Sequence, residues 1–324
     1  MIRYLLIALL LATIVAGAFE WESANFVAPG PKSRHGDETV VLIPPGVGLS
    51  GVAQQLADDR VIDRAELFAI GVRLRNNAGK LKAGEYGIPS QASMYDIMDI
   101  LIAGRTVQHK LTVAEGLTSD MIFKLVQSDP ALLGDAGVEP AEGTLLPETY
   151  LYTHGTGRAE IIGRMESGQK SLLDKLWRTR SPDIPLKNER EAIVLASIVE
   201  KETSISDERR HIAAVFENRL RLGMKLQSDP TIIYGITKGY PIGRRILQSE
   251  INAPTPYNTY VVPALPLGPI CNPGKDSIEA VLNPAPSKDL YFVANGAGGH
   301  TFSATQAQQD RNVALWRRIH DRPK

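Results

Sequence analysis

The chain has 324 residues, 43% of them hydrophobic and 22% charged, a length for two modest domains and a composition that excludes disorder as the main state. Lysine plus arginine and aspartate plus glutamate balance at 36 each, so no basic surplus points to nucleic acid or to an acidic polymer. The single cysteine, Cys271, excludes an internal disulfide, and six scattered histidines without an H-E-x-x-H pair, a G-x-S-x-G turn or a Walker-type loop take support from zinc, serine-hydrolase and nucleotide chemistry.

Residues 4–19, YLLIALLLATIVAGAF, are apolar or small, follow Arg3 and precede Trp21. This is a membrane or export signal. We expect an uncleaved anchor over residues 1–21, although Ala16-Gly17-Ala18 also resembles a signal-peptidase site. With Arg3 held in the cytoplasm, the positive-inside rule sends the remainder across the inner membrane. Residues 22–37, rich in Pro, Gly, Ser and charge, read as a linker.

Residues 38–112 read as a small α+β domain. ETVVLIPPG is a strand ending in a turn, LKAGEYGIP a second strand, and 49–56, 64–74 and 94–102 carry helical spacing. Its acids and Lys80, Lys82 and Lys110 read as a solvated face, so binding or spacing is its natural role.

From residue 113 to 324 the pattern predicts helices separated by loops dense in Pro, Tyr and Asn. TLLPETYLYTHGT is a polar-aromatic insertion before a helix over 159–176, and Asn188 caps a helix that runs into the acidic pair Glu200 and Glu202. At 100° per residue Glu202 falls between Leu195, Ile198 and Val199 on the apolar face, while Glu200 points toward Ile193, Ala196 and Ser197. A carboxyl on an apolar face loses hydration and rises in pKa, which suits a general acid. Spacing alone leaves equally open a structural acid that ends the helix beside Lys201. Ser206 is expected to cap the next helix, with Gly223 closing it and Asn218 and Arg219 on a part-apolar face, where each suits bonds to backbone carbonyls of neighbouring loops at least as well as a glycan contact. LQSDPTIIYG, TPYNTYVVPALPLGPICNPG and LYFVANGAGGHTFSATQAQ read as loops whose Tyr, Asn, Gln and Asp suit a sugar cleft.

Five motifs in order, ASIVEKET at 196–203, VFENRL at 215–220, LQSDPTIIYG at 226–235, PYNTY at 256–260 and YFVANGAGGHTF at 291–302, resemble the MltG (YceG-like) family of endolytic murein transglycosylases. Leu267 and Cys271 stand where that family usually has Pro and Ala. The resemblance implies a periplasmic body on an inner-membrane anchor, a LysM-like domain before a YceG-like catalytic domain, and cleavage of nascent peptidoglycan strands near the synthases. It also implies that the acid is the Glu of KET, Glu202. Hydrolytic glycosidases usually use two carboxylates, whereas a transglycosylase can work with one. Glu148 and Asp229, in stretches read as turns, are the contenders for a second acid and stand as glycan-contacting candidates. Thr203, Asn218, Gln227, Tyr234, Tyr257 and Asn258 are expected to position the acid and the glycan. No metal or organic cofactor is implied. The rival expectations are a muramidase that uses water and a non-catalytic, membrane-tethered glycan-binding scaffold.

Overall fold

The computed structural model describes residues 2–34 and 36–320; Met1, His35 and 321–324, which the expectations for the anchor, the linker and the second domain include, lie outside the described residues. The chain divides into two compact units, one reaching to residue 109 and taking in 151–156, the other holding 110–150 and the chain from 157 onward.

The first unit opens with helix α1 (Ile2–Val27), which is long and apolar enough by length and composition to cross a membrane. The large apolar side chains of Tyr4 and of Leu6 to Phe19 lie open, as a lipid-facing surface requires. The helix does not stop where the apolar run does. It continues six residues past Trp21, because Phe26 and Glu22 are buried by the rest of the unit. Phe26 stacks on Phe68 with ring centroids 6.1 Å apart, and Arg75 bonds Glu22 at 3.0 Å. A Cβ on Gly71 would lie 2.3 Å from the Phe26 ring, so this approach requires glycine.

Strands β1 (Glu38–Ile43) and β2 (Gly84–Pro89) pair antiparallel, Glu38 opposite Pro89 and Ile43 opposite Gly84. Helices α2 (Leu49–Asp58), α3 (Ala65–Leu74) and α4 (Met94–Ala103) complete the unit, and Val41, Leu56, Phe68, Tyr86, Ile97 and Leu101 fill its core. Ser93 and Asp96 form a capping box at the start of α4, and Gly104, at φ 72°, ends it. The division of the chain runs through β3 (His109–Thr112) and β4 (Thr149–Tyr152).

The second unit is mainly helical: α5 (Ser119–Ser128), α6 (Arg158–Arg178), α7 (Glu189–Glu202), α8 (Ser206–Arg221), α9 (Asp229–Thr237), α10 (Gln248–Ile251), α11 (Lys275–Leu282) and α12 (Gln306–His320). Every residue of α7 from Ala192 to Val199 is buried, against Leu176, Ile212, Phe216, Ile278 and Val281 of its neighbours. Asn188 caps it, its side chain accepting the Glu191 N–H at 2.9 Å.

Three local expectations change. The N-cap of α8 is Ile205, whose N–H bonds Thr203 Oγ1 at 3.0 Å, and Ser206 is the first helical residue. Asp229, read in a turn, opens helix α9, because Pro230 suits a first helical turn and Lys238 takes the left-handed closing position at φ 58°. The stretch read as a loop at 291–303 is a hairpin of β5 (Tyr291–Ala294) and β6 (His300–Ser303), with Tyr291 opposite Ser303 and Gly296 and Gly298 supplying positive φ in the turn.

Candidate active site

Glu202 is the last residue of α7, and the backbone leaves the helix at Thr203 in an extended conformation. Its carboxylate Oε1 accepts a hydrogen bond from the Ser228 hydroxyl. Ser228 is 2% exposed and tied on both sides of its peptide: its N–H donates to Thr259 Oγ1 at 2.9 Å, and its carbonyl accepts from Thr231 Oγ1 at 2.6 Å. The Thr231 and Thr259 hydroxyls are 2.9 Å apart. Each hydroxyl has one hydrogen, and that of Thr231 is committed to the Ser228 carbonyl, so Thr259 donates to Thr231. Gln227, exposed and in the left-handed region at φ 54°, donates its N–H to the Thr259 carbonyl at 3.2 Å. A non-glycine residue held there is a strained position, fixed by the bonds on its two sides.

Burial pushes the Glu202 pKa up, and the Ser228 bond opposes it; Asp229 raises it further, while His300 and Arg219 lower it. Asp229 Oδ1 accepts the Tyr260 hydroxyl at 2.6 Å, and burial followed by that bond raises the Tyr260 pKa. Arg219 is buried and spends its guanidinium on the carbonyls of Leu290 at 2.6 Å and Leu226 at 2.7 Å, so it also braces the segment leading to Ser228. His300 on β6 is clamped by Glu208, backbone N–H to Oε1 at 2.9 Å and Nδ1 to Oε2 at 2.7 Å. Burial raises the Glu208 pKa, but the bonds from His300 outweigh it and the carboxyl stays below its ordinary range.

The two acids at the end of α7 are separated by their partners rather than by exposure. Sequence spacing turns Glu200 away from the apolar face, yet its side chain is only 6% exposed, because α7 is enclosed on several sides. Glu200 Oε2 accepts the Gly274 N–H at 3.0 Å, and Oε1 lies 3.5 Å from Arg209, which also faces Glu115 at 3.6 Å and Asp276 at 3.4 Å. Glu200 is thus balanced by a cation and a backbone donor. Glu202 has a neutral hydroxyl in that place.

Of the other candidates, Thr203, Gln227 and Asp229 stand next in sequence to Glu202 or Ser228. Asn218 and Asn258 are spent on backbone: Asn218 Nδ2 donates to the Ser287 and Asp289 carbonyls, both at 3.0 Å, and Asn258 Nδ2 to those of Glu250, Ile251 and Ala253. Tyr234 donates to Glu142 Oε2 at 3.0 Å and meets Tyr257 edge-on with centroids 4.8 Å apart. Tyr257 and Glu142 line a cavity of about 790 Å³ with Gln169, Leu173, Ile193 and Leu267. Glu148 is exposed, and its carbonyl accepts the Val113 N–H.

Sequence reasoning missed Ser228, although it lies inside a quoted motif, and also Tyr260, the Glu208–His300 pair and Glu142. Burial raises the Glu142 pKa despite bonds from Ser119 N–H and the Tyr234 hydroxyl. Its signal was a lone acid before Gly143, which needs φ 81° and lies against Ile193 and Pro269. Among the described residues no group of three or more His, Cys, Asp and Glu is arranged to hold a metal ion.

The model of the YceG-like family matches residues 41–315. The endolytic murein transglycosylase of Streptococcus pneumoniae D39 is 30% identical over 323 residues, covering 85% of this chain and 57% of the relative. That of Bacillus subtilis 168 is 28% identical over 330 residues, covering 92% and 89%. The chain therefore spans little more than half the length of the streptococcal relatives and most of the length of the Bacillus one. A crystal structure of a YceG-like protein from Listeria monocytogenes, 30% identical, superposes with a TM-score of 0.52 over 85% of this chain and 99% of that one.

Proposed function

The chain belongs to the YceG-like family, and from that premise we propose that it is an endolytic peptidoglycan lytic transglycosylase in which Glu202 is the sole acid and base. Glu202 protonates the leaving oxygen of the MurNAc–GlcNAc β-1,4 bond as the C1–O4 bond breaks. As carboxylate it then takes the proton of the C6 hydroxyl on the same MurNAc while the O6–C1 bond forms. The acid is regenerated, no water is consumed, and the new end is 1,6-anhydroMurNAc.

The observation that carries this reading is the Glu202–Ser228 pair. A carboxyl whose pKa burial raises is suited to serve as acid, and a hydroxyl donor that favours the ionised form lets the same group serve as base. The C6 hydroxyl needs no separate activation site, because it is tethered to the reacting sugar and gains the advantage of an intramolecular nucleophile. In this reading Thr203, Gln227 and Asp229, next in sequence to Glu202 or Ser228, position the acid, Tyr234, Tyr257 and Glu148 contact the strand, and Asn218 and Asn258 act by bracing the loops whose carbonyls they bind.

Residues 38–112 form a LysM-like domain that keeps the strand near the catalytic domain of 113–324. α1 holds the protein in the inner membrane with its body in the periplasm, where it ends glycan elongation beside the synthases. Digestion of purified glycan strands by the wild type and by Glu202→Gln tests this reading, since a non-catalytic scaffold would show no difference between them. A second reading, hydrolysis with Asp229 activating water, draws on the Tyr260 bond that orients Asp229 and on its electrostatic effect on Glu202. The identity of the new ends decides between the two.

A further inference from the structure

The first unit carries a basic cleft that the glycan reading does not use. Lys32 and Arg34 face Asp59, Arg60 and Asp63 across a cavity of about 590 Å³. None of the three cations forms an ion pair among the described residues, and the Asp59 carboxylate is engaged by Gln55 at 2.9 Å. Both walls are held. The Gly30 N–H donates to the Gln91 carbonyl at 3.2 Å and the Gln91 N–H to the Pro31 carbonyl at 3.0 Å, which fixes the segment before Lys32, and Ser33 N–H donates to Ser90 Oγ at 3.0 Å. On the other wall Arg60 sits in the left-handed region at φ 58°, with its N–H on the Ala57 carbonyl at 2.9 Å.

The height of this cleft follows from its neighbour. Arg64 closes the same turn, and its guanidinium lies 5.7 Å from the centroid of the Trp21 ring. Trp21 ends the open apolar stretch of α1, where an aromatic side chain sits at headgroup level. Trp21 belongs to a helix that buries Glu22 and Phe26 in the unit, and its ring meets Arg64, so the turn of residues 59–64 is carried at the same level. Three cations held out of ion pairs, which outnumber the two carboxylates of the cavity, Asp59 and Asp63, lie beside a fourth at Arg64 and match an anionic surface at the depth of lipid phosphates. We propose that this cleft, with Arg64, binds the phosphate-bearing headgroup of an anionic phospholipid of the membrane that α1 crosses. The inference rests on the reading of α1 as an anchor and is independent of the glycan chemistry.

Hydrogen exchange of the full chain in lipid nanodiscs tests it. Amides of 30–34 and 59–64 should exchange several-fold more slowly in discs containing phosphatidylglycerol than in phosphatidylcholine alone. The variant K32A/R34A should lose most of that difference while cutting glycan strands as the wild type does. Equal exchange in both discs for the disc-bound wild type would overturn the headgroup site alone. Equal slowing by free glycerol phosphate in phosphatidylcholine discs would make the cleft a site for soluble anions and overturn the lipid assignment. Release of the chain from discs by alkaline wash would remove the anchor reading and the proposal with it.

Discussion

The Ser228 hydroxyl donates its one hydrogen to Glu202 Oε1, and the peptide that carries it is locked by Thr231 and Thr259. With Oε1 occupied as an acceptor, the proton that Glu202 carries belongs on Oε2. The pair therefore sets which oxygen faces the leaving group.

Ser228→Ala removes a donor that favours the ionised carboxylate, so the Glu202 pKa, already raised by burial, rises further. Activity that needs protonated Glu202 is lost as pH climbs through that pKa, and the alkaline limb of kcat/KM should move to higher pH. The rate at the optimum should fall by about tenfold, as loss of an orienting hydrogen bond of roughly 1.4 kcal/mol implies. A pH–rate profile checks it, with Ser228→Thr expected to restore the wild-type limb.

Glu202→Gln should abolish strand cleavage, by at least about 10²-fold as for loss of a general acid, without loss of folding. Glu200→Gln should retain most activity but lower stability, because Arg209 loses the most buried of its three acidic neighbours. Rates and denaturation midpoints on both variants make the comparison.

That contrast marks the reach of sequence reading here. The helix of Glu189–Glu202 was legible from its cap and its apolar period, and so was the side on which Glu202 lies. The burial of Glu200 was not, since it depends on Arg209 and Gly274, which reach it from two other segments. Asn218 was open to either reading and answers backbone carbonyls, whereas Asn258 resembles a sugar ligand by type and its amide group answers carbonyls that no local pattern announces. His300 and Glu208 meet across 92 positions, beyond any periodicity. In the first unit the expected helices and strands followed local signals. The continuation of α1 to Val27 did not, because it comes from Phe26 and Glu22 finding partners on α3.

Phe26→Ala should therefore destabilise the first unit by about 3 kcal/mol, the usual cost of emptying a buried phenyl site. A chain lacking residues 1–27 should show the same loss, and one beginning at Glu22 should not. Thermal denaturation of the three proteins measures it.

Glu217, buried on α8 beside Arg221, supplies a pH-dependent stability term. Burial pushes its pKa from the ordinary 4.5 to about 8, so the folded state holds a proton that the unfolded state releases. Stability is full below the unfolded value and falls by about 1.4 kcal/mol per pH unit as pH rises toward the folded one. Glu217→Gln should flatten that decline between pH 4.5 and 8 and match the wild type below it. Urea denaturation across this range reads it directly.

The central claim, that Glu202 works without water, is tested most directly by the mass of the new ends when purified glycan strands are digested in water enriched in oxygen-18. The account predicts 1,6-anhydroMurNAc ends, lighter by one water than hydrolysis products and free of the label, with cuts inside long strands as well as at their ends. Reducing MurNAc ends that carry oxygen-18 would contradict it and direct attention to Asp229 and then Glu148 as the group that activates water.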